Sequence, residues 1–392
     1  MPAPSAPSDA PAVPCPHYPQ CVGCALIGTP YTAQLAAKRA RVAEALAAYP
    51  RLAGVSAPAV TGSTRVFGYR NQAKLVVRGT RRGLLLGIYR PGTHDVVDIG
   101  QCPVHHPLIT RVLAGVRAAL EQFEVPPYDE REGSGWLRYV VVRASEWKHA
   151  AQIILVVRDR QWRGERPLIE RLRRLRGVAS VVLNLNRGSG NTIFGASFLA
   201  APRDLTLLER IGGLKLSSRA GAFLQANIGT ARRVYECAAR LAAVQPEEVA
   251  VDLYAGVGAL TFYLAGSAEF VLGVEEVPGA VIDAKQNVRL NGYHNVRFLE
   301  ASAADGMEHA VQILTRVDVV SLNPPRKGAD DATRAAIALA RPSRIVYVSC
   351  DPSSLARDLD WFASRGWSVA ALEAFDMLPQ TEHVECVALL RR

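Results

Sequence analysis

Residues 251–258 read Val-Asp-Leu-Tyr-Ala-Gly-Val-Gly and organise the C-terminal half of the chain. The apolar run from Val249 to Leu253 predicts a short buried strand, and Gly256 and Gly258 predict a tight turn that opens a helix. A glycine has no Cβ, so a ligand can approach the backbone of such a turn closely. By itself this glycine spacing is only a weak indication of a nucleotide site.

Strands and helices alternate on both sides of this turn. Apolar stretches predict strands, and stretches with apolar residues at helical spacing predict helices. The predicted strands are 249–253, 270–274, 317–322 and 345–348, and the predicted helices are 231–243, 280–291, 333–340 and 353–364, with a further helix ending at Leu264. This alternation is typical of a parallel, doubly wound α/β sheet of the Rossmann-like kind, in which ligands bind beyond the carboxyl ends of the strands.

An acidic residue supports a cofactor site beside the glycine turn. Glu275 ends the next predicted strand, roughly 20 residues after Asp252, where a carboxylate accepts hydrogen bonds from ribose hydroxyls. The three-glycine fingerprint of dinucleotide sites is absent from the sequence. An adenosine ligand without a pyrophosphate, such as S-adenosylmethionine, therefore fits better than NAD.

Length and composition bound the rest of the chain. Its 392 residues exceed one ordinary core, which predicts two or three domains, and a hydrophobic content of 49% excludes a mainly disordered chain. The sequence has no unbroken apolar run of about 20 residues, the length that a membrane helix needs. Residues 1–14 are rich in Ala, Pro and Ser and lack the features of a signal peptide. We expect a soluble, cytoplasmic protein with a disordered tail at 1–14.

The positive charge lies in the middle of the chain. Residues 31–215 carry a net charge of +15, whereas residues 216–392 carry −4. The middle part reads as mixed α/β, with strands predicted at 72–77, 83–89, 139–142, 153–157 and 180–185, a helix at 33–48 and an Arg-rich helix at 163–176. A basic domain predicts a polyanionic partner such as RNA, although an Arg-rich surface can also be simply solvated.

Candidate catalytic side chains follow the later strands. Cys350 ends one predicted strand and precedes Asp351 and Pro352, where the N-terminus of a helix would favour a thiolate. Glu385 lies just before the apolar run 386–390, and residues 323–328, Asn-Pro-Pro-Arg-Lys-Gly, follow another strand. Taken singly, each feature has a structural reading, as a buried small residue, a strand-edge charge and a turn.

Six short motifs occur in one order along the chain. They are Phe-Leu-Gln-Ala-Asn at 223–227, the glycine turn, Asn-Pro-Pro-Arg at 323–326, Ser-Cys-Asp-Pro at 349–352, Leu-Ala-Arg-Asp at 355–358 and His-Val-Glu at 383–385. This order resembles that of the RNA uracil-C5-methyltransferases, which make 5-methyluridine. The resemblance implies a thiolate at Cys350 that adds to carbon 6 of uracil and a base at Glu385 that removes the carbon-5 proton. It also implies S-adenosylmethionine-binding residues at Gln225, Tyr254, Gly256, Glu275, Ser302 and Asn323.

The chain departs from the family pattern at two of these positions. Asn323 stands where the family usually has Asp, and Ser302 stands where an acidic or amide residue is common. Asn323 keeps its hydrogen-bonding capacity but lacks a negative charge near a positive sulfonium. We expect weaker cofactor binding or altered uracil contacts, with the chemistry retained because Cys350 and Glu385 are both present.

Four of the seven cysteines fall in roughly the first quarter of the chain, namely Cys15, Cys21, Cys24 and Cys102. The odd total and this clustering indicate metal or redox chemistry in a reducing compartment rather than a disulfide framework. Four thiolates suit a [4Fe-4S] cluster or structural zinc, and His17, His105 and His106 keep zinc open; unligated cysteines are a third reading. The resemblance favours iron–sulfur, because family members that act on large ribosomal RNA carry a [4Fe-4S] cluster on matching cysteines.

These expectations divide the chain into a tail at 1–14, an iron–sulfur segment at 15–30 closed by Cys102, a basic RNA-binding domain at 31–215 and a methyltransferase domain at 216–392. The expected partner is RNA, with large-subunit ribosomal RNA favoured over transfer RNA, and the expected state is a monomer. Two other functions stay open. An exocyclic-amine methyltransferase would use the Asn-Pro-Pro loop, but Arg326 stands where it would need an aromatic residue. An RNA-binding or ribosome-assembly protein would have lost its cofactor site through Asn323 and Ser302.

Overall fold

The computed structural model describes residues 15–81, 83–188, 190, 192–200 and 205–392. The tail predicted at 1–14 therefore lies outside the described residues. Among the described residues, no helix combines the length and the apolar character that crossing a bilayer requires. The described strands form two large sheets and one separate hairpin.

The first part of the chain begins with one long helix and then builds a seven-stranded sheet from its described residues. Its elements are α1 (Tyr31–Ala47), β1 (Val60–Thr61), β2 (Gln72–Thr80), β3 (Gly83–Tyr89), β4 (Val96–Asp98), α2 (Pro107–Gln122), β5 (Leu137–Ser145), β6 (Ala150–Val157), α3 (Glu165–Arg173), β7 (Val178–Leu185) and β8 (Ser197–Leu199). The strand order is β4-β3-β2-β5-β6-β7-β8. Only β6 and β7 pair in parallel among these described strands, and α2 and α3 pack against one side of the sheet.

A hairpin and an α/β sheet follow. The elements are β9 (Thr206–Ile211), β10 (Leu214–Arg219), α4 (Ile228–Ala242), β11 (Val249–Leu253), α5 (Ala259–Ala265), β12 (Phe270–Glu275), α6 (Pro278–Asn291), β13 (Val296–Glu300), α7 (Ala303–Ile313), β14 (Val319–Leu322), α8 (Asp331–Ala340), β15 (Arg344–Ser349), α9 (Pro352–Ala363), β16 (Ser368–Phe375) and β17 (Glu385–Arg391). Over the described residues the sheet order is β1-β16-β17-β15-β14-β11-β12-β13. The five neighbouring strands β15, β14, β11, β12 and β13 pair in parallel, as predicted. Strand β17 runs antiparallel to both β15 and β16.

The parallel strands are apolar along their whole length because both faces of this sheet are covered. All residues of β11 and of β14 are buried. One core packs α4, α5 and α6 against the first face, and a second core packs α1, α7, α8 and α9 against the other face. With its faces buried in this way, a doubly wound sheet forms its ligand site from the loops at the carboxyl ends of its strands.

Two segments of the expected middle domain lie on the C-terminal sheet. Helix α1 packs against α9, and β1 extends the sheet by pairing with β16, so residues 31–61 belong with the C-terminal layers. The hairpin of β9 and β10 spans positions 215 and 216, and Asn287 of α6 bonds both the N–H and the carbonyl of Ser217 within it. We therefore propose a division that assigns α1, β1 and the hairpin to the methyltransferase part, in place of a boundary between 215 and 216.

The Arg-rich stretch 163–176 contains α3, and its position bears on where RNA could lie. This helix buries Leu168 and Leu172 against the seven-stranded sheet and exposes Arg166 and Arg173. The opposite face of the same sheet packs against Ala220, in the segment that leads to residues 223–227. Helix α3 therefore lies on the face of the seven-stranded sheet opposite to the face that packs against Ala220.

A ring packed under the glycine turn gives a test of the fold. In β12, a Cβ on Gly273 would lie 2.4 Å from Cε1 of Phe298, whose ring also limits the space at Gly258. We expect Gly273→Ala to lower the free energy of unfolding by about 1–3 kcal/mol, because the rigid Phe298 ring must shift to admit the methyl group. Chemical denaturation of the variant and the wild type measures this difference.

Gly266→Ala is the matched control for this substitution. Gly266 has right-handed helical φ and ψ at the end of α5, and the nearest atom to a new Cβ would be the carbonyl oxygen of Tyr263 at 3.8 Å. We expect this variant to be at least as stable as the wild type, because the added methyl group restricts the unfolded chain without a clash. Equal stability of the two alanine variants would contradict the packing argument.

Candidate active site

The glycine turn between β11 and α5 has an unusual backbone. The φ angles of Tyr254, Gly256 and Gly258 are +59°, +57° and +92°, in the left-handed region. A Cβ on Gly258 would lie 2.7 Å from Cζ of Phe298, so this position admits only glycine. A Cβ on Gly256 would meet no atom within 4 Å, so the turn faces open space there. A turn of this shape exposes its backbone to a ligand.

A pocket opens beside the turn, where the sheet order reverses between β11 and β14. Four predicted cofactor-binding residues line this glycine-turn pocket, namely Gln225, Tyr254, Gly256 and Asn323. Gln225 belongs to a segment that is fixed by Asn227, whose side chain caps α4 by accepting the backbone N–H of Thr230. Clefts at such a reversal are where doubly wound sheets bind their ligands.

The other two predicted cofactor-binding residues lie near the turn in different settings. The Glu275 carboxylate accepts the backbone N–H of Gly256 and that of Val277, each at 2.9 Å, so it holds the turn in place. Ser302 is the N-cap of α7, where it accepts the N–H of Asp305 and donates to the Asp305 carboxylate at 2.7 Å. Neither residue is among those that line the pocket in the described part of the chain.

Among the lining residues that were not predicted, three have polar or aromatic side chains, namely Phe223, Tyr235 and Asp252. Asp252 is buried at the end of β11, and its carboxylate accepts hydrogen bonds from Thr261 and Ser321. Burial raises the pKa of Asp252 to about 6. Tyr235 and Phe223 also line the pocket, and the Phe223 ring is 73% exposed. A carboxylate before a glycine turn and an aromatic residue before Gln225 were the sequence signals for two of these positions.

The pairing of β15 with β17 brings the two predicted catalytic residues together. Ser349 at the end of β15 is paired with Cys386 on β17, so Cys350 and Glu385 follow at the same edge of the sheet. The Glu385 carboxylate contributes to raising the pKa of Cys350, which places the two groups within electrostatic range. Burial and then the Glu385 carboxylate raise the pKa of the Tyr235 phenol, and because Tyr235 lines the glycine-turn pocket, Glu385 lies within electrostatic range of that pocket.

Burial raises the pKa values of both groups in this pair. Glu385 is buried, and burial raises its pKa to about 7. The pKa of Cys350 is also raised, first by burial and then by Glu385, although Arg326 lowers it. The stabilisation of a thiolate by the N-terminus of α9 stays a prediction. Asp351 is the N-cap of α9, and its side chain accepts the N–H of Ser354. Its charge further raises the pKa of Cys350.

A buried carboxylate fixes the Pro-Pro loop that follows β14. Asp358 of α9 accepts hydrogen bonds from the backbone N–H of Ala329 at 2.9 Å, from the Tyr347 hydroxyl at 2.6 Å and from Arg334 at 2.7 Å. A Cβ on Gly328 would lie 2.5 Å from the same carboxylate. The Leu-Ala-Arg-Asp motif at 355–358 therefore supports the loop that carries Asn323.

An arginine and a histidine meet beside Cys350. Nη2 of Arg326 lies 2.9 Å from Nε2 of His383. Arg326 comes from the Pro-Pro loop and His383 from the segment before β17, so the contact joins the two loops that follow β14 and precede Glu385. Burial and then the positive charge of Arg326 lower the pKa of His383, and the same charge opposes the rise in the pKa of the Cys350 thiol.

The four N-terminal cysteines lie close to one another. All four are free thiols, and burial raises the pKa of Cys24 to about 12, with further contributions from Cys102, Cys21 and Cys15. Arg70 opposes this shift. Nε2 of His17 and Nδ1 of His105 are buried without a hydrogen-bond partner in the described part of the chain. Within the same ranges, no three His, Cys, Asp or Glu side chains converge closely enough to hold one metal ion.

Comparison with known proteins places this site in a family. Residues 210–392 match the family model of tRNA (uracil-5-)-methyltransferases. An uncharacterized RNA methyltransferase of Geobacter sulfurreducens is 42% identical over 96% of this chain and 76% of the relative, and one of Halalkalibacterium halodurans is 34% identical over 96% of this chain and 82% of the relative.

A solved structure shows the same architecture. The crystal structure of Pyrococcus abyssi tRNA (uracil-54, C5)-methyltransferase in complex with S-adenosyl-L-homocysteine matches with a TM-score of 0.76 and 25% sequence identity, over 95% of this chain and 86% of that one. The predicted Rossmann-like α/β fold is confirmed by this match. Taken with the sequence relatives, it establishes that this chain is an enzyme of the RNA uracil-C5-methyltransferase family.

Proposed function

We propose that this enzyme transfers the methyl group of S-adenosylmethionine to carbon 5 of a uridine in RNA, with Cys350 as nucleophile and Glu385 as base. The observation that carries the proposal is the placement of Cys350 and Glu385 side by side at the end of β15, next to the glycine-turn pocket. A thiolate is needed because carbon 5 of uracil is too weak a nucleophile to be methylated unaided. A base is needed because the carbon-5 proton must leave before Cys350 can be released.

The glycine-turn pocket fits an adenosine cofactor. Open space over Gly256 lets a ligand reach the backbone, and Gln225, Tyr254 and Asn323 surround that space. The Glu275 carboxylate accepts the N–H of Gly256 and so holds the turn from its side. Ser302 bonds Asp305 at the start of α7. When bound, S-adenosylmethionine supplies an electrophilic methyl group on a sulfonium. The buried Asp252 provides a negative charge in this pocket, which Asn323 does not.

Cys350 performs the first step on uracil. Its thiolate bonds to carbon 6, and the electron pair of the 5,6 double bond becomes available at carbon 5, which takes up the methyl group. Burial and then the Glu385 carboxylate raise the pKa of this thiol. Arg326 is the cation placed to stabilise the thiolate.

Glu385 completes the reaction. Its carboxylate accepts the proton from carbon 5, the 5,6 double bond re-forms, and the bond between carbon 6 and Cys350 breaks to release the thiolate. A carboxylate with a pKa of about 7 is well suited to this task near neutrality, because it is both ionised and basic.

The target uridine has to leave its stack to reach Cys350. The exposed Phe223 ring at the rim of the pocket offers a surface on which the extruded base can stack. The net charge of +15 on residues 31–215 supplies the attraction for the RNA backbone. We propose large-subunit ribosomal RNA as the substrate, with transfer RNA as the alternative, and a monomer acting in the cytoplasm.

Cys15, Cys21, Cys24 and Cys102 are the residues that we propose as ligands of a [4Fe-4S] cluster. The fit rests on four free thiols within electrostatic range of one another and on Arg70, which opposes their negative charge. The unpartnered nitrogens of His17 and His105 mark a buried polar space in the same region. Because histidine side chains can also bind zinc, structural zinc is the competing assignment.

We expect Cys350→Ala to abolish methyl transfer to RNA, because the variant lacks the thiol that is proposed to add to carbon 6. The assay follows labelled methyl groups from S-adenosylmethionine into unmodified ribosomal and transfer RNA, and mass spectrometry identifies the product as 5-methyluridine. Cys237→Ala is the matched control, because Cys237 is buried within α4 and is expected to retain activity.

The same assay separates the competing functions. Methyl transfer that survives in Cys350→Ala, with the product on a base amine, would favour the exocyclic-amine reading of the Asn-Pro-Pro loop. Wild-type enzyme that binds both RNA classes but methylates neither would favour an RNA-binding protein with a decayed site. Methylation of transfer RNA alone would overturn the choice of ribosomal RNA and leave the reaction intact.

We expect the rate at which 5-methyluridine product is released from Cys350 to rise as the pH increases through 7. Below its pKa of about 7 the Glu385 carboxyl is protonated and cannot accept the carbon-5 proton, and the raised pKa of Cys350 adds a second requirement for alkaline conditions. Single-turnover rates measured across this range test the sign. A rate that stays constant as the pH crosses 7 would contradict the assignment of Glu385 as the base.

Metal analysis tests the cysteine assignment. Protein purified without oxygen is expected to contain about four iron and four sulfide per chain. Cys24→Ala should lose this iron and its visible absorbance, whereas Cys237→Ala should keep both. One zinc per chain without sulfide would replace the cluster by a structural zinc site, and metal-free protein with native stability would leave the cysteines unligated.

A further inference from the structure

The loop that carries Glu385 into the site consists of residues 376–384. It joins β16 to β17, and Phe375 is paired with Glu385 where the loop closes. Glu385 is therefore the first residue after the loop, and any movement of the loop is transmitted to the carboxylate. The position of this residue depends on what holds residues 376–384.

Helix α1 holds the start of this loop through a buried ion pair. Lys38 bonds the Asp376 carboxylate, and neither side chain is exposed to solvent. The Tyr31 hydroxyl donates to the other carboxylate oxygen of Asp376 at 2.8 Å, and Nζ of Lys38 also donates to the carbonyl of Leu378 at 3.2 Å. Lysines are almost never fully buried unless they are paired, and Asp376 is the partner of Lys38.

Further hydrogen bonds hold the middle of the loop. The amide groups of Gln34 and Gln380 bond each other at 3.0 Å, and the backbone N–H of Leu26 donates to the carbonyl of Gln380. Tyr69 donates to the carbonyl of Pro379 at 2.9 Å. Asn227, next to the glycine-turn pocket, donates to the carbonyl of Met377 at 3.1 Å.

These contacts come from parts of the chain that are far from the catalytic residues in sequence. Leu26 lies two residues after Cys24, and Tyr69 lies next to Arg70, so the cysteine-bearing region touches the loop directly. The backbone of Gln380 has a φ of +71°, a conformation that a non-glycine residue keeps only when its surroundings impose it. The loop is therefore held in one conformation by residues outside the sheet.

We propose that Lys38, acting through Asp376, is a positioning residue for Glu385. The inference rests on the proposed function, because it assumes that Glu385 removes the carbon-5 proton. Loss of the Lys38 cation leaves the Asp376 carboxylate buried and uncompensated, which drives water into this region and releases the start of the loop. Proton removal is the step that should then slow, while addition of Cys350 to the uridine continues.

Lys38→Met tests the proposal, because methionine is unbranched and apolar and removes only the charged end of the side chain. We expect kcat to fall by roughly ten- to a hundredfold, with the KM for RNA close to that of the wild type. The RNA should accumulate as a covalent complex with Cys350, which is visible as a slowly migrating band on a denaturing gel. Glu385→Gln provides the reference for full accumulation of this complex.

Arg344→Met is the matched control for loss of a cation from a largely buried ion pair. Arg344 forms an ion pair with Glu248 at the amino end of β15, away from Cys350 and Glu385. We expect the Arg344→Met variant to be less stable than the wild type but not to trap RNA. If Lys38→Met folds poorly, Lys38→Met combined with Asp376→Leu removes both charges and restores an apolar interior. This double variant should still trap the covalent complex, because the bonds that tie the start of the loop to Lys38 and Tyr31 are still missing.

The outcomes separate this proposal from the function on which it rests. A folded Lys38→Met enzyme with wild-type kcat and no extra covalent complex would overturn the positioning role. The same holds if Arg344→Met traps RNA as strongly, because general destabilisation would then explain the effect. If Glu385→Gln methylates RNA at the wild-type rate, the proposed role of Glu385 fails first.

Discussion

The antiparallel pairing of β17 with β15 is the contact on which the arrangement of this protein depends. In a purely parallel sheet, one edge collects only residues that follow strands. Because β17 runs in the opposite direction, its first residue, Glu385, arrives at the edge where β15 ends and Cys350 follows. A thiol and a carboxylate from separate parts of the chain thereby become neighbours beside the glycine turn.

Burial then sets the chemical character of the carboxylates near this edge. Asp252, Asp376 and Glu385 all have raised pKa values because they are buried. Asp252 is satisfied by two hydroxyl groups, and Asp376 by Lys38 and a tyrosine hydroxyl. For Glu385, burial raises the pKa to about 7. The surrounding fold therefore stabilises two of these carboxylates as structural groups and leaves the third suited to proton transfer.

Much of the candidate site could be predicted because its residues follow strands in short motifs. Gln225, Tyr254 and Asn323 line one pocket, and Cys350 lies beside Glu385, although their roles in the reaction stay predictions. The hydrogen bonds of Glu275 to the turn, the cap formed by Ser302 and the raised pKa of Cys350 could not be predicted. Each depends on the local geometry of partners and on the degree of burial, which residue type and spacing do not specify.

The alternating strands and helices of the C-terminal sheet were evident along the chain, because apolar periodicity and glycine placement are properties of short segments. Strands β13 and β16 and the hairpin of β9 and β10 were missed; β13 is a five-residue strand at the edge of the sheet, and most residues of β16 are not buried, so its apolar pattern is weak. Tertiary packing alone decided that α1 and β1 join the C-terminal sheet and that Lys38 meets Asp376, 338 positions away. Such contacts form because each buried charge requires a partner, and only the folded chain determines which partner lies within reach.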